Sequence, residues 1–484
     1  MIPAAAGPGV TRTARWPLLH ATVALVLAWG ALAFGAVYSW AFWPLAAAAA
    51  CCGVAGLLLP DRGSHVPRLA STPLAWCLSI VAAAVLLQLV PMPIDAAARL
   101  SPSLAGVLSQ LDVAFAAGLT PTHPLSISPS ATLTSLLLFL AFAVLMFGVA
   151  RIASLAGTRT LASIVCALGV LLAVIGIVQR PLYAGRIYGL WAPMMENTRP
   201  FGPFVNPNHF AGWMLMALPI AFGLLCSAVA RGMAGVKADW RSRIIWLSTR
   251  EASQVILIGA AAVVMAVSLV LTMSRSGIGA FAVSVTITSW FALRRLRGGS
   301  RRMMVAYLAC ILVIAVGSVG SETLAARFAS ANPGNINERL PIWRDTWAMA
   351  RDFWLTGTGL NTYGVATLLY QTAEPDVHLR EAHNDYLQIA AEGGLLVAVP
   401  VACAIAVLAT EVRRRFTRSH GSSYWVRLGA VTGLLAIALQ STVEFSLQMP
   451  GNAALVAVLG GIALHHPPAG RSRPDQRGSA ARRT

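Results

Sequence analysis

The sequence predicts an all-α fold, a polytopic transmembrane helical bundle of about 12 spans with a large outer loop containing short helices. Three observations predict it. The 484 residues are 57% hydrophobic and only 11% charged, and their mean hydropathy of +0.69 lies outside the range of ordinary soluble domains. Apolar runs of about 17–22 residues recur along the chain, the length that crosses a bilayer core. Basic residues collect in alternate connectors, as they do where topology is set by charge.

The apolar runs fall at 17–37, 40–59, 73–90, 131–150, 158–178, 209–229, 253–273, 276–293, 304–320, 392–410, 424–445 and 450–465. The first follows Arg12 and Arg15 and is long for the core of a signal peptide, so it is expected to remain as a first span. With the amino terminus inside, the inner connectors hold Arg231, Lys237, Arg241, Arg243 and Arg250, "RRLRGGSRR" (294–302), "RRRFTR" (413–418) and the basic tail. That asymmetry predicts both termini in the cytoplasm. It also accounts for the net charge of +18, so no nucleic-acid partner is expected. The seven cysteines (51, 52, 77, 166, 226, 310, 403) all lie in apolar runs, without a CxxC, which points to neither a disulfide framework nor a zinc site.

Five segments follow from this order. Residues 1–130 hold spans one to three and the first outer loop, and 131–320 hold spans four to nine with arginine-bearing outer loops. Residues 321–391 form the large outer loop, 392–466 the last three spans, and 467–484 a basic tail expected to be disordered.

Polarity concentrates in the outer connectors. Loop 91–130 holds Arg99 and Asp112 and ends in "LSISPSAT", where Ser128 and Pro129 read as a helix start. Arg180, Arg186, Arg199 and Arg275 crowd short connectors beside apolar helices, where a bare cation is costly. Phosphate suits them, because guanidinium donates in a planar fork and keeps its charge. Glu196, Glu381 or lipid headgroups are the competing partners. In "RPFGPFVNPNHF" (199–210), Pro200, Gly202, Pro203 and Pro207 forbid regular helix and hold Asn206 and Asn208 before the sixth span. Their amides suit sugar hydroxyls and helix capping equally.

Leu340, Trp343, Trp347, Ala350 and Trp354 recur at helical spacing in "ERLPIWRDTWAMARDFW" (338–354) and define an apolar stripe. A helix of this kind either lies in the membrane interface or packs on the protein's own spans. Gln440, Glu444 and Gln448 are spaced i, i+4, i+8 near the outer end of span eleven and predict a polar stripe facing the bundle. It serves either as carboxylate support for a site or as ordinary interhelical bonding.

"LREAHNDYLQIAAEGGLL" (379–396) sets five polar residues against an apolar helix. His383 alone there exchanges protons near neutrality at its ordinary pKa. Asn384 and Asp385 are placed to orient its ring, and Gly393 and Gly394 to let the backbone bend. Glu381, His383 and Asp385 alternate like strand ligands, but no second cluster completes a shell and arginines crowd the site. No metal and no cofactor are expected.

These motifs resemble the O-antigen ligase and lipid-linked glycan polymerase superfamily of bacterial inner membranes, most clearly over 199–400. His383–Asn384 followed by Gly394 is similar to the ligase signature of the large periplasmic loop. Arg199 with "NPN", and "TMSRSG" (272–277), look like the family's two arginine positions. "RLPIWRDTWAMARDFWLTGTGLNTYG" (339–364) resembles the run into the catalytic loop. The resemblance implies a metal-independent glycosyltransferase of the inner membrane, with its site facing the periplasm. The donor would be a glycan on undecaprenyl diphosphate. The acceptor would be lipid A core, another glycan or a protein, and membrane lipids would surround the spans. Under it His383 is the general base, and Arg199 and Arg275 hold the diphosphate. Arg180, Arg186, Arg344, Asn206, Asn208 and Asn384 are candidate substrate contacts, and Gly394 is structural. Ligase, repeat-unit polymerase and protein O-oligosaccharyltransferase all remain open. A polysaccharide transporter is the rival from another class, although transporters place polar groups nearer the bilayer midplane.

Overall fold

A computed structural model describes residues 15–60, 72–194, 199–233, 239–295, 334–372, 378–417 and 421–466, with positions 236, 301, 302, 305, 309 and 419. The expected ninth span (304–320) lies almost wholly outside the described residues, as do Glu196, the start of the large loop and the tail.

The described residues are mostly helical. α1 (Arg15–Leu32), α2 (Ser39–Leu57) and α3 (Pro73–Leu87) lead into three short helices, α4 (Ile94–Leu100), α5 (Leu104–Leu111) and α6 (Val113–Ala116). α7 (Pro129–Ala156), α8 (Arg159–Leu182), α9 (Pro207–Gly232), α10 (Trp240–Leu247), α11 (Arg250–Leu271) and α12 (Arg275–Arg295) follow. The last group is α13 (Gly334–Asp352), α14 (Tyr363–Tyr370), α15 (Asp385–Phe416), α16 (Gly421–Gln440) and α17 (Pro450–Leu464). Local chemistry sets many starts. Pro129 occupies the first turn of α7 behind Ser128, where its missing N–H costs nothing. Thr72, Asn206 and Thr249 cap α3, α9 and α11 with side-chain oxygens.

Seven of these helices, α2, α7, α8, α9, α11, α15 and α16, are long and apolar enough to cross a membrane. α1, α3 and α17 hold shorter apolar stretches. The chain is a multi-pass membrane protein. The expectation of about 12 spans also counts these shorter helices, α12 and the ninth apolar run. α16 ends at Gln440, five residues before the expected end of span eleven, and a 3-10 turn spans Ser446–Gln448. Gln440, Glu444 and Gln448 therefore do not form one helical stripe.

α9 is the axis of the bundle and is buried along nearly its whole length, against α8, α11, α12 and α16. Gly429 of α16 lets the two backbones touch, since a Cβ there would collide with the carbonyl of Pro219.

One end of the bundle carries a cap built from both long connectors. β1 (Met92–Pro93) pairs antiparallel with β2 (Thr122–His123), in register Met92 to His123. Leu104, Leu108 and Leu125 from this segment share a core with Met349, Phe353 and Tyr363 of α13 and α14. α13 and the turn after it present Ile342, Thr346, Met349 and Phe353 inward and leave Trp347 63% and Trp354 57% exposed. Of the stripe from Leu340 to Trp354, Ala350 is buried while Leu340, Trp347 and Trp354 are exposed, as the interfacial alternative expects. The inward face is one step around the helix and includes the buried Asp345, whose carboxylate accepts from the backbone and hydroxyl of Thr372.

Candidate functional site

The cap and the bundle enclose a cavity of about 1170 Å³. Its walls differ in chemistry. Phe42, Leu78, Phe139, Phe142, Met146 and Val456, from α2, α3, α7 and α17, form an apolar side among the spans. Arg199, Asn206, His209, Arg380, Glu381 and His383 form the polar side near the cap.

His383 is held there by the segments around it. The indole of Trp343 donates to the Ala382 carbonyl at 3.1 Å, and the Ala382 N–H donates to Gln388 Oε1 at 2.8 Å. The Asp385 N–H donates to the Ser441 carbonyl at 3.0 Å. Asn384 caps α15 by accepting from the N–H groups of Tyr386 and Leu387. Between these anchors His383 adopts a left-handed backbone with φ of 51°, a conformation uncommon for residues other than glycine.

The large loop is pinned from below. Gln88, fully buried on the exit from α3, donates its amide to the carbonyls of Thr356 (2.7 Å) and Glu392 (2.9 Å). The Glu392 carboxylate accepts from the N–H groups of Asn361 and Tyr363, each at 2.9 Å. Gly394 breaks α15 with φ of 56° and ψ of −164°. A Cβ at Gly394 would meet the Gly357 nitrogen at 2.5 Å, so the crossing of loop and helix requires glycine.

Behind His383 stands a carboxylate that sequence reasoning did not link to it. Glu444, in the turn after α16, places Oε2 3.7 Å from His383 Nδ1, and its side chain is 2% exposed. Its Oε1 accepts from Arg339 Nη2 at 2.7 Å and from the amide of Asn208 at 2.8 Å. Arg339 also donates to the Val443 carbonyl. Burial alone would raise the Glu444 carboxyl, but His383 and Arg339 outweigh it and hold the pKa below the ordinary value. Glu381, on the cavity wall, is raised instead, because burial exceeds the help it receives from His383 and Arg380. Phe445 sets its edge between two imidazoles, with ring centroids 4.8 Å from His383 and 4.7 Å from His209.

Of the residues singled out from sequence, Arg199, Asn206 and His383 line the cavity. Asn206 also caps α9 by accepting from the Asn208 N–H at 2.8 Å. Asn208 reaches Glu444 and Asn384 caps a helix, so neither amide is on the wall. Arg275 begins α12 and is not among the residues that line the cavity. Arg180, Arg186 and Arg344 are exposed and off the wall. Arg339 and His209 were not anticipated. No spacing rule joins 339 to 444, and His209 reads as one more residue of an apolar helix.

Residues 260–402 match the family model for O-antigen ligase. The match runs from α11 into α15 and takes in Arg275, Arg339, His383 and Gly394, while Arg199 and Glu444 lie outside it. No curated protein matches the chain.

Proposed function

We propose that the chain moves a glycan from a lipid diphosphate carrier to an acceptor hydroxyl, in the manner of an O-antigen ligase. The observation that carries the reading is the two-faced cavity, which sets an apolar wall among the spans against a polar wall holding Arg199 and His383. A lipid-linked diphosphate needs both at once, an oily slot for the chain and a cationic seat for the phosphates. The match over residues 260–402 supports the same chemistry.

The mechanism is a direct displacement. The acceptor oxygen forms a bond to the anomeric carbon while that carbon's bond to the diphosphate oxygen breaks. His383 takes the proton from the acceptor hydroxyl through Nε2, since Nδ1 faces Glu444. The departing electron pair stays on the diphosphate, where Arg199 on the cavity wall stabilises the growing charge. Inversion at the anomeric carbon follows. The carrier is undecaprenyl diphosphate in a bacterial inner membrane, with the cavity opening to the periplasm and both termini in the cytoplasm.

His383→Gln, expressed at wild-type level in cells lacking the chromosomal copy, tests the reading. Transfer is expected to fall roughly 10²–10⁴-fold, with glycan stranded on the polyprenyl carrier in lipid extracts. Long stranded glycans identify a ligase and single repeat units a polymerase. Undiminished transfer would remove His383 as base.

A further inference from the structure

We propose that Glu444 is the positioning residue of this site: it holds His383 with Nδ1 turned inward and balances the positive charge that the ring gains on accepting a proton. The inference rests on His383 being the general base.

The geometry is specific. Glu444 uses one carboxylate oxygen for structure and leaves the other to face His383. Oε1 is taken by Arg339 and Asn208, and Oε2 accepts no hydrogen bond but lies 3.7 Å from His383 Nδ1. Phe445, the next residue, packs edge-on to the same imidazole, so one short turn supplies both the charge and the wall that orients the ring. The turn is itself fixed, because Arg339 of α13 binds the carbonyl of Val443 as well as Glu444. Arg339 keeps Glu444 ionised, and an ionised carboxylate behind an imidazole favours its protonated form and selects the nitrogen left for the substrate. The arrangement joins α9, α13, the start of α15 and the exit of α16, which are far apart in sequence.

Other charged and titratable groups near His383 do not duplicate this role. His209 faces it from α9 across Phe445. Arg380, Glu381 and Asp385 flank it on its own segment, Arg199 shares the cavity wall, and Arg339 stands behind Glu444. Asp385 accepts from the amide of Gln448 at 2.9 Å and is thereby turned to the 3-10 turn. Glu381 lines the cavity, whereas Glu444 stands behind the ring.

The test uses the full-length protein purified into nanodiscs. Its donor is the carrier-linked glycan extracted from cells lacking the chain, and membranes of the same cells supply the acceptor. Glu444→Gln keeps the shape and removes the charge. It is expected to lower kcat roughly 10²-fold with KM for the donor unchanged. The acid limb of its rate–pH profile is expected to move to lower pH, and Glu444→Asp recovers part of the rate. A wild-type rate with an unmoved acid limb, in a preparation where His383→Gln is inactive, overturns the role of Glu444 and leaves the base standing. An effect confined to KM also overturns it, by making Glu444 a binding residue. Activity in His383→Gln itself would instead discard the reading on which the inference rests. Should Glu444→Gln fail to fold, Asn208→Ala loosens the same carboxylate without touching His383. A smaller fall in kcat with the same movement of the acid limb is then expected, and an unmoved limb refutes the proposal.

Discussion

The two ends of the bundle each set an arginine and a histidine around one polar cluster, and they use them in opposite ways. At the end away from the cap, Arg427 is fully buried. Its guanidinium donates to the carbonyls of Ala463 (2.9 Å) and Arg415 (3.0 Å) and reaches His465. Arg415 donates to the Leu464 carbonyl and pairs with Glu411. These contacts close the last turn of α17, whose exposed carbonyls and dipole both favour cations. At the cap end Arg339 binds Glu444, but the chain stops short of completing the set. Among the described residues His383 Nδ1, Glu444 Oε2, His209 Nε2, Gln440 Oε1 and Asn452 Oδ1 are buried there without a hydrogen-bond partner. At the Arg427 end the buried guanidinium ends in carbonyl bonds, whereas at the cap end the pair of facing atoms, His383 Nδ1 and Glu444 Oε2, stays without a hydrogen bond. That open pair keeps capacity in hand for chemistry, at a cost the surrounding anchors must offset.

The largest expected effects separate the ends in one pair of variants. His383→Gln should abolish transfer while leaving thermal unfolding of the purified protein unchanged. Arg427→Met should do the reverse. It strands the carbonyls of Ala463, Arg415 and His465 in the interior, at about 1–3 kcal/mol for each unsatisfied group. A fall in Tm with preserved activity per folded molecule is the expected outcome. If Arg427→Met were as stable as the wild type and inactive, the division between a structural and a chemical end would be wrong.

How far this contrast could be read from sequence depends on the range of the interactions. Apolar length points to the seven helices long enough to cross a membrane. Pro129 marks a helix start, while Asn206, open between capping and sugar contact in the sequence, caps α9. His383 stands out because imidazole alone in that stretch exchanges protons near neutrality and because His383–Asn384 with Gly394 resembles the ligase signature. Glu444 was visible only as part of a supposed helical stripe. The break of α16 at Gln440 turns its carboxylate toward α13, and no periodicity encodes that turn. The packed face of α13 is equally hidden from the sequence, which leaves its tryptophan stripe open between the membrane interface and the spans. Trp347 and Trp354 are hydrophobic by composition, yet they are left exposed while Asp345 is buried, which only the docking partner decides. Gln88 similarly gave no signal, since one amide near the end of a span has many uses.

An intermediate effect is expected at the boundary between fold and chemistry. Gly394→Ala puts a Cβ against the Gly357 backbone and forces a non-glycine residue to a positive φ. A loss of roughly 1–3 kcal/mol in stability should accompany a loss of transfer, because the same crossing holds the loop that carries His383. Separate measurement of Tm and activity decides the matter. A variant that lost stability and retained full activity would show that the crossing braces the bundle without setting the site.

The smallest effect concerns the two acids flanking His383, whose shifts have opposite signs. Glu444 sits below its ordinary pKa, so its ionisation stabilises the folded state above that value, and the contribution disappears as pH falls through the lowered one. Glu381 sits above its ordinary pKa, so the folded state prefers the protonated acid. Its contribution is complete below the ordinary carboxylate value and is lost as pH rises through the elevated one. Glu381→Gln should therefore raise Tm slightly at neutral pH, by an amount that shrinks on acidification. Glu444→Gln should lower Tm at neutral pH, and its deficit should close only at more acidic pH than the Glu381 difference does. Differential scanning of the two variants from pH 7 to about pH 2.5 reads both trends. Parallel curves would mean that the acids share one environment, and the contrast between an acid fixed behind the base and one facing the cavity would fail.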